Sequence, residues 1–183
     1  MGSLKDVRVV GGFWLLVRLF LGYEWLKGGL EKLGDPAWTG GEAGAAVTGF
    51  LKGALAKSTG EFPEVQGWYV WFIENVALPN ATVFSYLVVF GQIAAGAALL
   101  VGFLTRFAAL GGAIMNLAFL WAGTSSSNPQ MLVLGLAIVL VGSLAGYYGL
   151  DRYVLPGLRR QTGRAGEPAG KTHLPASPTG TRD

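Results

Sequence analysis

Four stretches of the chain are apolar over long runs, and the segments between them differ in character. They cover about residues 9–30, 81–104, 107–123 and 130–150, and charged side chains are rare within them. Each approaches or exceeds the roughly 20 residues a helix needs to cross the hydrocarbon of a bilayer. The third is the shortest, a shortfall that tilt of its neighbours or local thinning would ease. The pattern predicts an all-α protein, an integral membrane four-helix bundle occupying residues 1–156.

The one large segment outside the spans, 34–80, has a pattern of its own. GDPAWTGG is turn chemistry, with Pro36 ending the first helix. EAGAAVTGFLKGALAKS then sets Val47, Phe50, Leu51, Ala54 and Leu55 near one helical face, which predicts a short interfacial helix. In FPEVQGWYVWFIENVALPN, Pro63 suits a helix start, and Trp68, Tyr69 and Trp71 suit an outer headgroup belt. The segment is read first as an anchor of the bundle and, alternatively, as a lid over its outer mouth. The later connections are tight: LTRF (104–107) turns beside Arg106, and AGTSSSNPQ (122–130) carries Pro129 at a helix start. Residues 157–183 are rich in Gly, Pro, Thr and Arg, the composition of a disordered basic tail.

Composition strengthens the membrane reading. Only 14% of residues are charged, against about 25% in a soluble domain; mean hydropathy is +0.44. The 29 glycines suit close helix packing in lipid. Lys5 and Arg8 precede the first span as in a signal peptide, but that span is too long for an h-region, contains Arg18 and lacks a small-residue cleavage site, so it is retained. With both termini cytoplasmic, Lys5, Arg8, Arg106 and the tail arginines lie inside, while Lys27, Lys32, Lys52 and Lys57 lie outside among acids from Glu24 to Glu74. That is the positive-inside arrangement, expected for a multi-pass protein of the cytoplasmic membrane.

The missing residue types bound the chemistry. Cysteine is absent, which excludes disulfides, thiolate nucleophiles, Fe–S clusters and Cys-ligated zinc in this chain. The sole histidine, His173, lies in the tail, so haem held by two protein histidines is excluded as well. No metal is expected. The basic tail lacks aromatic partners, so the expected surroundings are a bilayer and not nucleic acid.

Polar residues inside the spans are therefore the candidates. At ~1.5 Å per residue, Arg18, Gln92 and Asn116 all fall near mid-span, with Glu24 about 9 Å nearer the outside. A buried intramembrane arginine costs from roughly 2.5 to over 10 kcal/mol and calls for partners. Gln92 and Asn116 are expected to accept from it, with Trp14 and Trp25 on its own stripe as cation–π neighbours. Taken singly, Gln92 and Asn116 read equally as interhelical glue, and Gly91/Ala95 and Gly142/Gly146 as packing pairs.

The runs RLFLGYEWLKGGLEKLGDPAW, LVGFLTRFAALGGAIMNLAFLWAGTSSSNP and GYYGLDRYVLP resemble the DoxX family of small four-helix membrane proteins, over roughly residues 8–156. That family includes the small subunit of thiosulfate:quinone oxidoreductase. The resemblance implies oxidation of sulfur compounds or thiol redox balance, with a quinone as diffusible acceptor. Its first-helix arginine and Gly-x-x-Lys-Leu ending match Arg18 and Gly29–Leu33. Where the family commonly has an acid after a glycine in the second span, this chain has Gly91-Gln92, which keeps hydrogen bonding but cannot exchange a proton at neutral pH.

The expected function is that of a membrane subunit of a quinone-linked oxidoreductase, with thiosulfate or another sulfur compound as donor. The catalytic candidates are Arg18 and Glu24. The binding candidates are Arg18, Tyr23, Trp25, Lys27, Lys32, Gln92 and Asn116. A second redox subunit and a homo-oligomer are the expected protein partners. The alternatives are a non-enzymatic scaffold for a redox complex or a small anion transporter.

Overall fold

The computed structural model of the chain describes residues 4–153; the predicted disordered tail, 157–183, lies outside them. The described residues form helices and turns with no strand. In chain order the helices are α1 (Leu4–Leu33), α2 (Pro36–Thr39), α3 (Ala45–Ala56), α4 (Gly67–Phe72), α5 (Ala81–Val101), α6 (Thr105–Trp121) and α7 (Asn128–Val141). The four long helices close a ring in which α1 packs along α5, α5 on α6, α6 on α7 and α7 back on α1.

Glycine sets the closest seam. A side chain added at Gly22 would meet the Leu100 backbone nitrogen at 3.0 Å, one at Gly29 would meet that of Ile93 at 2.9 Å, and one at Gly96 would collide with Leu26. Backbone approach of this kind is the means by which helices associate without large apolar knobs. The seam fixes an antiparallel register: Gly22 stands beside Leu100, and Gly29 beside Ile93.

Outward positions on all four long helices are large and apolar, among them Leu16, Leu87, Ile114 and Leu140. Two helices are long and apolar enough to cross a bilayer, α1 from Arg8 to Leu33 (mean hydropathy 1.4) and α5 (mean hydropathy 1.9).

The segment between them folds over one end of the ring. Asp35 caps α2 by accepting from the Ala37 N–H at 2.9 Å, and α3 buries Val47, Leu51 and Ala54 while Phe50 and Leu55 are half-buried. Helix α4 begins at Gly67, not at Pro63. Residues 63–66 instead complete a loop that the Glu64 N–H closes by donating to Lys57 O, with Val65 buried beneath it. Trp68 and Trp71 are exposed as a headgroup belt requires, whereas Tyr69 turns inward and donates to Ala118 O at 2.8 Å. Burial pushes the Tyr69 phenol above its ordinary pKa. After Phe72 the helix widens to a π-turn, Ile73–Ala77, which buries both Ile73 and Ala77. Such turns concentrate at functional sites.

The last apolar stretch, 130–150, is not one helix. Helix α7 stops at Val141 because Gly142 adopts φ +67°, a left-handed conformation, and a 3-10 turn with further turns carries the chain to residue 150. At ~1.5 Å per residue α7 is only about 21 Å long.

Candidate functional site

Two apolar clusters divide the interior. One, in the ring, includes Leu21, Trp25, Leu99, Met131 and Ile138; the other, under the outer segment, includes Val47, Leu51, Tyr69, Ile73 and Ala77. Between them lies a cavity of about 530 Å³, walled by Trp25 and Met131 from the first and by Val47, Leu51 and Ala77 from the second. Its other walls are aromatic. Phe50 of α3 meets Phe119 of α6 edge-on at 5.9 Å, and Phe72 meets Phe84 of α5 in the same way at 6.0 Å. Trp25 is held in place because Gly112 of α6 leaves room: a side chain there would lie 2.7 Å from its Nε1.

Two amides enter this apolar space. Asn116 is fully buried and lies on the inward stripe of α6 formed by Thr105, Ala109, Gly112, Ala113 and Asn116. Gln92 of α5 is 5% exposed, and the close approach at Gly29 brings it alongside α1. Among the described residues neither Asn116 Nδ2 nor Oδ1, nor Gln92 Oε1, has a hydrogen-bond partner. An unmade bond of this kind costs roughly 1–3 kcal/mol. Three such atoms on residues lining one cavity mark a place where a polar guest would find partners.

Helix α1 supplies the charge. Glu24, Gly28, Glu31 and Lys32 all line the cavity, at the spacing of one helical face. Lys32 is half-buried; its Nζ donates to Gly28 O at 3.1 Å and stands 5.3 Å over the Trp38 ring. Glu24 is half-buried on the same wall. Tyr23 and Lys27 point away: both are exposed, and Lys27 pairs with Glu31 at 4.0 Å.

Of the residues singled out from sequence, Glu24, Trp25, Lys32, Gln92 and Asn116 converge on the cavity; Arg18, Tyr23 and Lys27 do not line it. The expected meeting of Arg18 with Gln92 and Asn116 is corrected by register. Gln92 lies opposite Gly28 and Gly29, whereas Arg18 crowds Gly102, just past the end of α5. Ten residues of helix, about 15 Å, separate the two levels. Arg18 is 2% exposed and donates to Ala145 O at 3.5 Å and Tyr148 O at 3.3 Å, both in the irregular segment that follows α7. The expected cation–π contact with Trp14 or Trp25 is absent among the described residues.

Beside Arg18 lies a residue that sequence reasoning missed. Asp151 is buried, and its two carboxylate oxygens accept from the Leu104 N–H at 2.7 Å and the Thr105 N–H at 2.9 Å. It caps α6 from 46 residues further along the chain, and a cap that distant in sequence leaves no local spacing to read. Trp38 and Phe50 were likewise missed as cavity walls; the signal available for Trp38 was its place two residues after Pro36, in the short helix α2.

The fold and the site thus define a helical protein with lipid-compatible outer faces and an aromatic cavity floored by amides. The chain belongs to the DoxX family, whose model matches residues 13–125, a span that holds every polar cavity residue named above. Family and apolar helices together point to a membrane protein. No solved structure matches the chain.

Proposed function

We propose that the chain is the quinone-binding membrane subunit of an oxidoreductase, crossing the cytoplasmic membrane four times with both termini inside. The outward apolar faces of α6 and α7, including Ile114, Val133 and Leu140, support four spans in place of two. The observation that carries the quinone reading is the pair of buried, unpartnered amides, Gln92 and Asn116, in a cavity walled by aromatic rings.

A quinone ring is flat and apolar, with an acceptor oxygen at each end. Rings such as Phe119 and Trp25 give it edge and face contacts. The Asn116 Nδ2 donates to a carbonyl oxygen of the oxidised ring. When the ring is reduced its hydroxyls donate, and Gln92 Oε1 and Asn116 Oδ1 accept. The same two amides therefore serve both redox states. Reduction consumes two electrons and two protons. The electrons come from a partner subunit that joins two thiosulfates, or an equivalent sulfur compound, through a new S–S bond. Glu24 is the half-buried carboxylate on the cavity wall placed to exchange protons with the ring oxygen. Arg18 acts on the fold and not on the ring.

The test is quenching of tryptophan fluorescence by menadione in the purified full chain. Wild type is expected to quench saturably, and Asn116→Leu to weaken binding about ten-fold or more, the loss of one to two buried hydrogen bonds. Folded wild-type protein that shows no saturable quenching would overturn the reading and leave a scaffold for a redox complex.

A further inference from the structure

The quinone reading leaves one feature of the cavity unused, a lysine at its outer end. Lys32 lines the cavity and has no carboxylate within 4.0 Å among the described residues; the adjacent Glu31 lies 4.0 Å from Lys27 instead. Its ammonium has three N–H donors, of which one is spent on Gly28 O. The Trp38 ring, 5.3 Å from Nζ, holds the charge against the cavity wall.

A side-chain carbon at Gly28 would stand 3.7 Å from Lys32 Nζ and 3.6 Å from Gln92 Oε1, so the ammonium and the buried amide both border the position the glycine leaves empty. A guest oxygen lying over Gly28 comes within reach of both. Rotation of the Gln92 amide about its last bond exchanges its oxygen for its NH2, so the amide can donate to that oxygen too. The other charges on this wall are Glu31, beside Lys32 and paired with Lys27, and Glu24, four residues before Gly28 on the same face of α1. Glu24 repels negative charge at the inner end of the cavity while Lys32 attracts it at the outer end.

We propose that Lys32, Gln92 and the bare backbone at Gly28 form an oxyanion pole, so that the cavity takes an aromatic ligand in its ionised form in preference to its neutral form. The ligand class is a planar ring bearing an acidic hydroxyl, seated with its O⁻ over Gly28 and its far edge toward Asn116. This rests on the quinone reading above and adds to it a charge preference and a direction of seating.

Two naphthoquinones of nearly equal size provide the test. Menadione carries a methyl group where lawsone carries a hydroxyl, and lawsone is ionised at neutral pH. Each is titrated into the purified full chain at neutral pH, with tryptophan quenching as the readout. Wild type is expected to bind lawsone about ten-fold more tightly than menadione, the magnitude of one charge-assisted hydrogen bond. Lys32→Met should abolish that preference while still binding menadione, Lys32→Arg should retain it, and Glu24→Gln should widen it. Equal binding of the two by wild type, or a preference that survives Lys32→Met, overturns the oxyanion pole and leaves the quinone site standing. Saturable binding of neither overturns both.

Discussion

Arg18 shows what a charge inside an apolar run can be for. Helix α7 ends early, and the chain beyond Val141 turns irregularly with carbonyls that no helix satisfies. Irregular backbone at membrane depth is tolerated only where protein groups meet its polar atoms. Arg18 does so at Ala145 O and Tyr148 O, and the small residues Gly102 and Gly149 leave its guanidinium room. Its insertion cost is offset in part by these two carbonyls, while its Nε has no partner among the described residues. Arg18→Leu is therefore expected to lose roughly 2–4 kcal/mol of stability, read as a lower thermal midpoint in detergent, while the folded fraction binds menadione with unchanged affinity. A stable Arg18→Leu protein that cannot bind would return Arg18 to the site. Tyr69 makes a smaller prediction. Its phenol pKa is raised in the fold by burial, so the unfolded chain ionises first. Its contribution is complete below the ordinary tyrosine pKa and is lost as pH rises from there through the raised value of the folded state. Alkaline unfolding should shift less with pH in Tyr69→Phe than in wild type.

At the level of elements, the long helices were legible because apolar runs of this length have few alternatives. Their ends were not. The stop of α7 depends on a glycine in a left-handed conformation, and the Gly142/Gly146 spacing reads as a packing pair and not as a helix stop. Gly91, read as a packing position, does pack, against Met115 of α6, but the closest seam is made by Gly22, Gly29 and Gly96. The register error at Arg18 follows from taking helix centres as equal heights, when α1 extends to Leu33 and α5 ends at Val101. The outer segment raises a separate question, whether it is fixed or opens. Lys57 Nζ donates to Gly123 O at 2.6 Å and stands 3.6 Å from Glu64, tying the end of α3 to the loop before α7. Both partners are exposed, so the ion pair itself contributes little. Lys57→Ala is expected to speed hydrogen exchange in α3 and to raise quinone association and dissociation rates together, leaving affinity nearly unchanged. A slower association rate would assign the segment no gating role.

At the scale of the whole molecule, the candidate site was legible as a set of residue types and not as a place. Glu24, Trp25, Lys32, Gln92 and Asn116 were identifiable as polar or aromatic exceptions in apolar helices. That they face one cavity depends on the antiparallel register of α1 and α5 and on the roof formed by residues 34–80, neither of which leaves a local pattern. The absence of cysteine offers a direct test of the four-span topology. In intact cells, an impermeant maleimide is expected to label Ser58→Cys, and to label Arg106→Cys only after permeabilisation. Labelling of both in intact cells would contradict the proposed orientation. The central claim concerns where a quinone head group sits, and photolabelling with an azidoquinone tests it most directly. The account predicts label on residues 24–38 of the α1–α2 region and on 116–119 of α6, suppressed by excess menadione and lost in the double variant Gln92→Leu, Asn116→Leu. Label confined to the lipid-facing groove of α5 and α6 around Ala94, Ala98 and Phe107, or label that menadione does not suppress, would contradict it.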